Sequence, residues 1–439
     1  MRISSIVLLI LVFGVIHVKA QQKHPLTVGE LFNLVESNSK TLQREKTSVE
    51  FANKGIETAR SQRLPEINTS MSVSYNGNVL IADRDFSNMQ GYSSPHLGNS
   101  FALEARQVVY AGGAIEAGIR MAELQKRQAL VSEQLTREQQ RFLSLGQYLD
   151  LYKLDNRMNV LEQNIELTSR LIDNIKAKFA EGMALKNDVT RYELQMETLR
   201  LELRKVHDQR AVLNYQLCNT LGIRQGTEIV PDIDVSVSLP SMILPSATAE
   251  SSLSEAQSNS PMLQQAQINC QIAEQSVTLA KSDMLPKVAL IAADQLNGPY
   301  TYDIPPKDIN VNFWYVGVGI KYPVSSLFKQ NKKLQQARIA MRHTEEARLV
   351  AQESLSNEVH QAWTMYQQSF AELKTQQKSV ELACQNYKVV SDRYMSQLAL
   401  ITDMLDASNI KLNAELKEVD ARINIIYNYY KMKFICGTL

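Results

Sequence analysis

The chain is short of the residues that interrupt structure. Among its 439 residues there are only 17 Gly and 12 Pro, below average usage for both, so long unbroken elements are expected. Cysteine is scarce as well. Cys218, Cys270, Cys384 and Cys436 share no CxxC or metal-ligand spacing, which argues against a zinc module or a redox motif. Each falls in a helical pattern beside apolar neighbours, as buried unpaired small hydrophobes do; an oxidising compartment would also permit a disulfide. No charge sign dominates, with 47 basic residues against 46 acidic ones, so no polybasic or strongly acidic partner is implied. His17, His24, His96, His207, His343 and His360 are scattered without ligand spacing. Gly317-Val318-Gly319 has Tyr322 where a dinucleotide loop needs its third Gly. With no phosphate loop and no catalytic constellation, the residues indicate no enzyme, metal or cofactor.

Long apolar runs are absent after the first twenty residues. Arg2, the apolar run Ile6 to Ile16 and the small-residue exit Val18-Lys19-Ala20 read as a signal peptide over 1–20. The run is too short for a membrane span. Without it, 45 basic residues stand against 46 acidic ones. The mature chain is therefore expected to be exported.

What the sequence does contain is a repeat. "RSQRLPEINTSMSVSYNG", Arg60 to Gly77, returns as "KSDMLPKVALIAADQLNG", Lys281 to Gly298, an offset of 221. Further on the offset is 215: Ala122 matches Ala337, Phe179 matches Tyr394, Asp188 matches Asp403, Tyr215 matches Tyr430 and Gly222 matches Gly437. Such a period is too long for a solenoid and marks a duplicated unit. The expected organisation is a first repeat over 21–222, a connector over 223–248 that is irregular or holds short strands, and a second repeat over 249–439.

Each repeat reads helix, strand, strand, helix, helix. The opening helices, about 27–62 and 250–283, stop at Leu64-Pro65 and Leu285-Pro286, since proline disfavours helical geometry in the residue before it. A strand follows at about 66–76 or 287–296. In the first, Ile67, Met71, Val73 and Tyr75 alternate with Asn68, Ser70, Ser72 and Ser74, the period of a strand with one apolar face. A loop rich in Gly, Ser, Asn and Asp leads to a second strand, about 101–110 or 311–322. A very long helix comes next, about 113–180 or 327–395, about 100 Å long at the helical rise. Met158, Leu161, Ile165, Ile172, Ile175 and Phe179 form a seam along it. After a short turn the return helices, about 187–221 and 402–436, end near Gly222 and Gly437, where glycine suits a helix C-terminus.

Four strands of about ten residues have the length of transmembrane barrel strands. Phe313-Trp314-Tyr315 resembles an interfacial aromatic girdle. A small soluble sheet is the competing reading. Four strands cannot close a barrel, for which about eight is the minimum, and open edges do not exist in lipid. Several chains would have to pool their strands. The helices have narrow apolar stripes and broad polar faces, which suits packing side by side into a tube or bundle.

This pattern resembles the TolC-like outer-membrane efflux protein family of Gram-negative bacteria, over nearly all of the mature chain. The most specific stretch is "ALITDMLDASNIKLNAELKEVDARINIIYNYYKMKFICGTL", Ala399 to Leu439, with its first-copy counterpart "EGMALKNDVTRYELQMETLRLELRKVHDQRAVLNYQLCNTLG". The resemblance implies a mainly α fold with a membrane β-barrel part. Three chains would give a 12-stranded outer-membrane barrel and a periplasmic α-helical barrel. A periplasmic adaptor and an inner-membrane pump of RND or ABC type would be the partners. The chain would be a passive exit duct of a tripartite efflux or secretion system, carrying small molecules or polypeptides. Pro65 and Pro286 would mark the passage from helix to barrel strand.

The same resemblance assigns Asp403 and Asp406 to rings at the periplasmic entrance. Three apart on a helix, they share a face. They also read as ordinary acids at a helix N-terminus, favoured by its dipole. Tyr394 falls on an entrance-lining tyrosine, or is a seam aromatic paired with Phe179. The family's latching arginine falls at Ala399 and is missing, while Asp188 is retained. Arg191, at the repeat position of Asp406, is expected to take over the latch. The turns Gly182-Met183-Ala184-Leu185 and Gln397-Leu398-Ala399-Leu400 would be adaptor-docking tips, or plain turns. Two other readings stay open: a periplasmic coiled-coil scaffold without a pore, and a secreted hydrolase with helical decoration.

Overall fold

Proline and a repeated serine set where the helices end. The computed structural model describes residues 23–233 and 248–439. The signal-peptide reading, and the connector reading over 234–247, fall outside the described residues. In chain order the elements are β1 (Lys23–Leu26), α1 (Val28–Asn38), α2 (Lys40–Ser61), β2 (Glu66–Tyr75), β3 (Val79–Ile81), β4 (Gln90–Tyr92), β5 (Leu97–Tyr110), α3 (Ala114–Ala180), α4 (Lys186–Leu221), β6 (Glu228–Pro231), α5 (Ala249–Asn259), α6 (Pro261–Ser282), β7 (Lys287–Gly298), β8 (Val311–Lys321), α7 (Ser326–Met395) and α8 (Ile401–Ile435).

The opening helix of each repeat, expected as one piece, is two. The first breaks at Ser39, the second at Ser260, and both serines have extended ψ values, 118° and 117°. They are 221 residues apart, the offset of the opening match. Pro261 explains the second break: it drives Ser260 out of the helical region and suits the first position of the next helix, where its missing N–H costs nothing. The first break occurs without a proline. Ahead of it, Thr27 and Glu30 cap α1 reciprocally, Glu30 N–H to Thr27 Oγ1 at 3.3 Å and Thr27 N–H to Glu30 Oε2 at 3.2 Å.

The described chain forms two compact units, each drawing on both halves of the sequence. One holds the described residues up to Thr41, Arg137–Glu255 and Glu358–Leu439; the other holds Leu42–Thr136 and Ala256–Asn357.

The second unit contains the four-stranded sheet, ordered β2-β5-β7-β8 and antiparallel throughout. Neither β2 nor β8 has an outer partner among the described residues. Alternation gives the sheet two unlike faces. One carries Ile67, Met71, Val73, Phe101, Leu103, Leu290, Val316, Val318 and Ile320, all exposed in the single chain. Asp294 interrupts that face and accepts a hydrogen bond from Asn312 at 2.7 Å. The other face carries Asn68, Ser70, Ser72 and Ser74 of β2, Glu104 and Arg106 of β5 and Gln295 of β7. The register pairs Ala293 with Tyr315, Asp294 with Trp314 and Gln295 with Phe313. The Phe313-Trp314-Tyr315 girdle is therefore corrected. Three consecutive strand residues cannot share a face, so Trp314 joins the apolar side and Phe313 and Tyr315 join the polar one. The loop expected between the first two strands is also partly ordered, since β3 and β4 pair as a hairpin inside it.

In the first unit, β1 and β6 pair in parallel, although some two hundred residues separate them. Side chains of α3 and α4 hold them. Tyr148 donates to Leu26 O at 2.6 Å. Arg210 reaches Ile229 O at 3.1 Å and Glu228 at 3.1 Å, and also pairs with Asp155. Asn214 bonds both Thr227 O and Ile229 N–H at 2.8 Å. The long helices pack through apolar stripes, such as Leu161, Leu199 and Leu412, and Tyr366, Leu373, Ala421 and Ile425. The four cysteines are free, Cys218 and Cys436 buried, Cys270 and Cys384 only half-buried.

Candidate functional site

The two helix-to-helix turns in the first unit are built alike. At the end of α3, Gly182 takes φ +78°, its N–H bonds Phe179 O at 3.0 Å, and Met183 N–H bonds Lys178 O at 2.8 Å. At the end of α7, Gln397 takes φ +63°, its N–H bonds Tyr394 O at 3.0 Å, and Leu398 N–H bonds Arg393 O at 2.8 Å. These are paired helix terminations with a left-handed residue after the last turn. Each chain then re-enters a helix with an acid at its third position. Leu185 N–H donates to Asp188 Oδ2 at 3.1 Å, and Leu400 N–H to Asp403 Oδ2 at 3.1 Å. Leucine has no side-chain oxygen to return the bond, so each is half of a capping box.

Beneath the turns lies one apolar cluster. Leu171, Ile172 and Ile175 of α3 meet Val189, Tyr192 and Met196 of α4, Tyr394 of α7 and Met404 of α8. Both hairpins therefore end on a common core, which holds the turns in register. Tyr394 belongs to this core, while Phe179 at the equivalent position is 45% exposed. Lys178 lies over the Tyr394 ring at 5.4 Å and donates to Met395 O at 2.9 Å. Burial, and next the Asp188 carboxylate, push the Tyr394 hydroxyl above its ordinary pKa.

The remaining candidates face outward. Asp403, Asp406 and Arg191 are exposed. Arg191 makes no ion pair among the described residues of its own chain. At the tips Met183, Leu185, Leu398 and Leu400 stand in solvent, Leu185 at 70% and Leu400 at 69% exposure, while Ala184 and Ala399 are half-buried beside the cluster. Tyr192, Lys178 and the buried pair Val189 and Met404 were not read from the sequence. The signal was present for the last two: they are 215 residues apart and each follows its capping aspartate.

Among the described residues no group of His, Cys, Asp or Glu could hold a metal ion, and no helix is long and apolar enough to cross a membrane.

Residues 252–437 match the family model of the outer membrane efflux protein. Among solved structures, VceC of Vibrio cholerae is 14% identical with a TM-score of 0.75, over 93% of this chain and 96% of that one. CusC is 15% identical with a TM-score of 0.79, over 93% and 92%. CmeC of Campylobacter jejuni is 13% identical with a TM-score of 0.75, over 94% and 85%. No curated protein sequence matches the chain. The fold is that of the outer-membrane channels. More particularly, the second half of the chain is similar to the outer membrane efflux protein family over residues 252–437.

Proposed function

We propose that the protein is the outer-membrane exit duct of a tripartite efflux or secretion system in a Gram-negative bacterium. It acts as a passive channel made of three copies. The observation that carries this reading is the four-stranded sheet with one exposed apolar face and two edges unpaired among the described residues. In water such a face is costly, and in lipid such edges are forbidden. Four strands fall short of closure, whereas three copies supply twelve. Because the strands alternate in direction, β8 of one copy meets β2 of the next antiparallel, and the ring closes without a parallel joint.

The paired helix turns are the periplasmic entrance in this reading. Asp403 and Asp406 of three chains form two carboxylate rings that attract cations. Asp188, Arg191 and Tyr394 complete the entrance, with Arg191 closing it by pairing with an acid of a neighbouring chain. Met183, Leu185, Leu398 and Leu400 dock an adaptor protein linked to an inner-membrane pump. Single-channel recording of the purified protein in a planar bilayer tests the reading. Cation-preferring steps blocked by divalent ions, with block relieved in Asp403→Asn plus Asp406→Asn, are expected. A folded monomer without conductance would sink it and favour a periplasmic scaffold.

A further inference from the structure

The polar face of the sheet is uneven. On β2, one open edge, it is a row of small side chains: Asn68, Ser70, Ser72 and Ser74. On β8, the other open edge, it is Val311, Phe313 and Tyr315, followed by Gly317, Gly319 and Lys321. The rings of Phe313 and Tyr315 touch, with centroids 6.1 Å apart, and stay 61% and 41% exposed in the single chain. Bulky aromatic groups thus end the sheet on one side, and hydroxyl-bearing small groups end it on the other.

The same face shows how this sheet handles such a pair. A Cβ at Gly319 of β8 would meet Ile291 Cδ1 of β7 at 3.0 Å, so a large side chain of one strand lies across a small residue of its neighbour. Among the described residues, β8 has β7 on one side only. Its aromatic rings have no strand on the other side to lie across.

We infer that Phe313 and Tyr315 clasp a second copy of this chain, their rings lying over the Asn68–Ser74 row of its β2. This inference rests on the three-copy barrel proposed above. The contact is head-to-tail, one edge row against a different one, so it repeats around a ring. Opposed side chains on neighbouring strands approach within about 4.5–5.5 Å. A large ring then meets a small partner without clash, and apolar surface is removed from the aqueous passage. The clasp would fix which strand edges join and in what register.

The test uses the full chain with Cys218, Cys270, Cys384 and Cys436 replaced by alanine. Phe313→Cys is combined in turn with Asn68→Cys, Ser70→Cys, Ser72→Cys and Ser74→Cys, and the purified protein is oxidised. One combination is expected to cross-link chains into a covalent trimer. Trp314→Cys with the same partners is expected to give none, since it lies on the other face. A wild-type trimer in which no Phe313 combination cross-links would overturn the clasp. Heat resistance of the trimer in detergent is the second readout. Phe313→Ser plus Tyr315→Ser should lower the dissociation temperature by at least about 10 °C, and Phe313→Leu plus Tyr315→Leu should restore most of it. Unchanged heat resistance, with weaker channel block by an aromatic cation, would overturn the clasp and show the rings facing transported solute. A wild-type chain that is monomeric and non-conducting would instead defeat the channel reading itself.

Discussion

Gln397 occupies the left-handed position that Gly182 occupies 215 residues earlier, with φ +63° against +78°. Both close a long helix with the same pair of backbone bonds. Only Gly182 does so without a Cβ penalty, which is about 1 kcal/mol. Gln397→Gly is therefore expected to raise stability by up to about 1 kcal/mol, and Gly182→Ala to lower it by a similar amount. Denaturant midpoints of the two variants check this. Equal effects of one sign would contradict the shared turn geometry.

Asp403 and Asp406 separate structural from electrostatic roles. Asp403 accepts the Leu400 N–H, so Asp403→Ala should cost about 1 kcal/mol. For Asp406 the structure gives no such cap, and Asp406→Asn should leave stability unchanged. If the two rings line the entrance, Asp406→Asn should still weaken divalent block, on the order of tenfold. Channel recordings beside melting curves distinguish these outcomes.

Tyr192 is nearly fully buried, and its hydroxyl has no partner among the described residues. An unpaired buried hydroxyl costs about 1–3 kcal/mol. Tyr192→Phe keeps the ring in the cluster and is expected to stabilise the protein by about 1 kcal/mol. Tyr192→Ala should destabilise it by about 3–5 kcal/mol. A clear loss of stability in Tyr192→Phe would mean the hydroxyl has a role in the assembled protein.

Alkaline pH should weaken the helical unit. Burial raises the hydroxyl pKa of Tyr148, Tyr192 and Tyr394, and pushes Tyr366 up to about 12. An unfolded tyrosine ionises near about pH 10. Above that pH the unfolded chain has released protons that the folded chain still holds, so stability falls as pH rises. For Tyr366 the stabilisation is complete below about pH 10 and is lost as pH climbs to about 12. Urea midpoints across that window should decline, and Tyr366→Phe should flatten the decline. A flat profile in the unaltered protein would contradict it.

The helix-to-strand passages were legible because Leu64-Pro65 and Leu285-Pro286 write a local rule, and β2 begins at Glu66 and β7 at Lys287. The break at Ser260 was equally local, since Pro261 follows it, and its echo at Ser39 could be seen only through the repeat. The pairing of β1 with β6 was not legible: four-residue strands far apart carry no periodicity, and Arg210 and Asn214 hold β6 from α4. Asp403 and Asp406 were readable as acids at a helix N-terminus, and the structure gives a capping bond to Asp403 and, in the first repeat, to Asp188. The burial of Tyr394 against exposed Phe179 depends on which neighbours the helices meet, which the repeat alone leaves undecided. The mistaken grouping of Phe313 with Trp314 came from reading composition without strand alternation.

The unpaired edges of β2 and β8 also have a genetic consequence. If three copies pool their strands as proposed, each chain shares its defects with two neighbours. A variant able to offer β2 but not β8 would still enter assemblies and leave them open. With equal amounts of intact and faulty chains, about one assembly in eight would be wholly intact for a three-membered ring. Lesions in these strands should therefore be dominant, whereas lesions that prevent the chain from folding at all should be recessive.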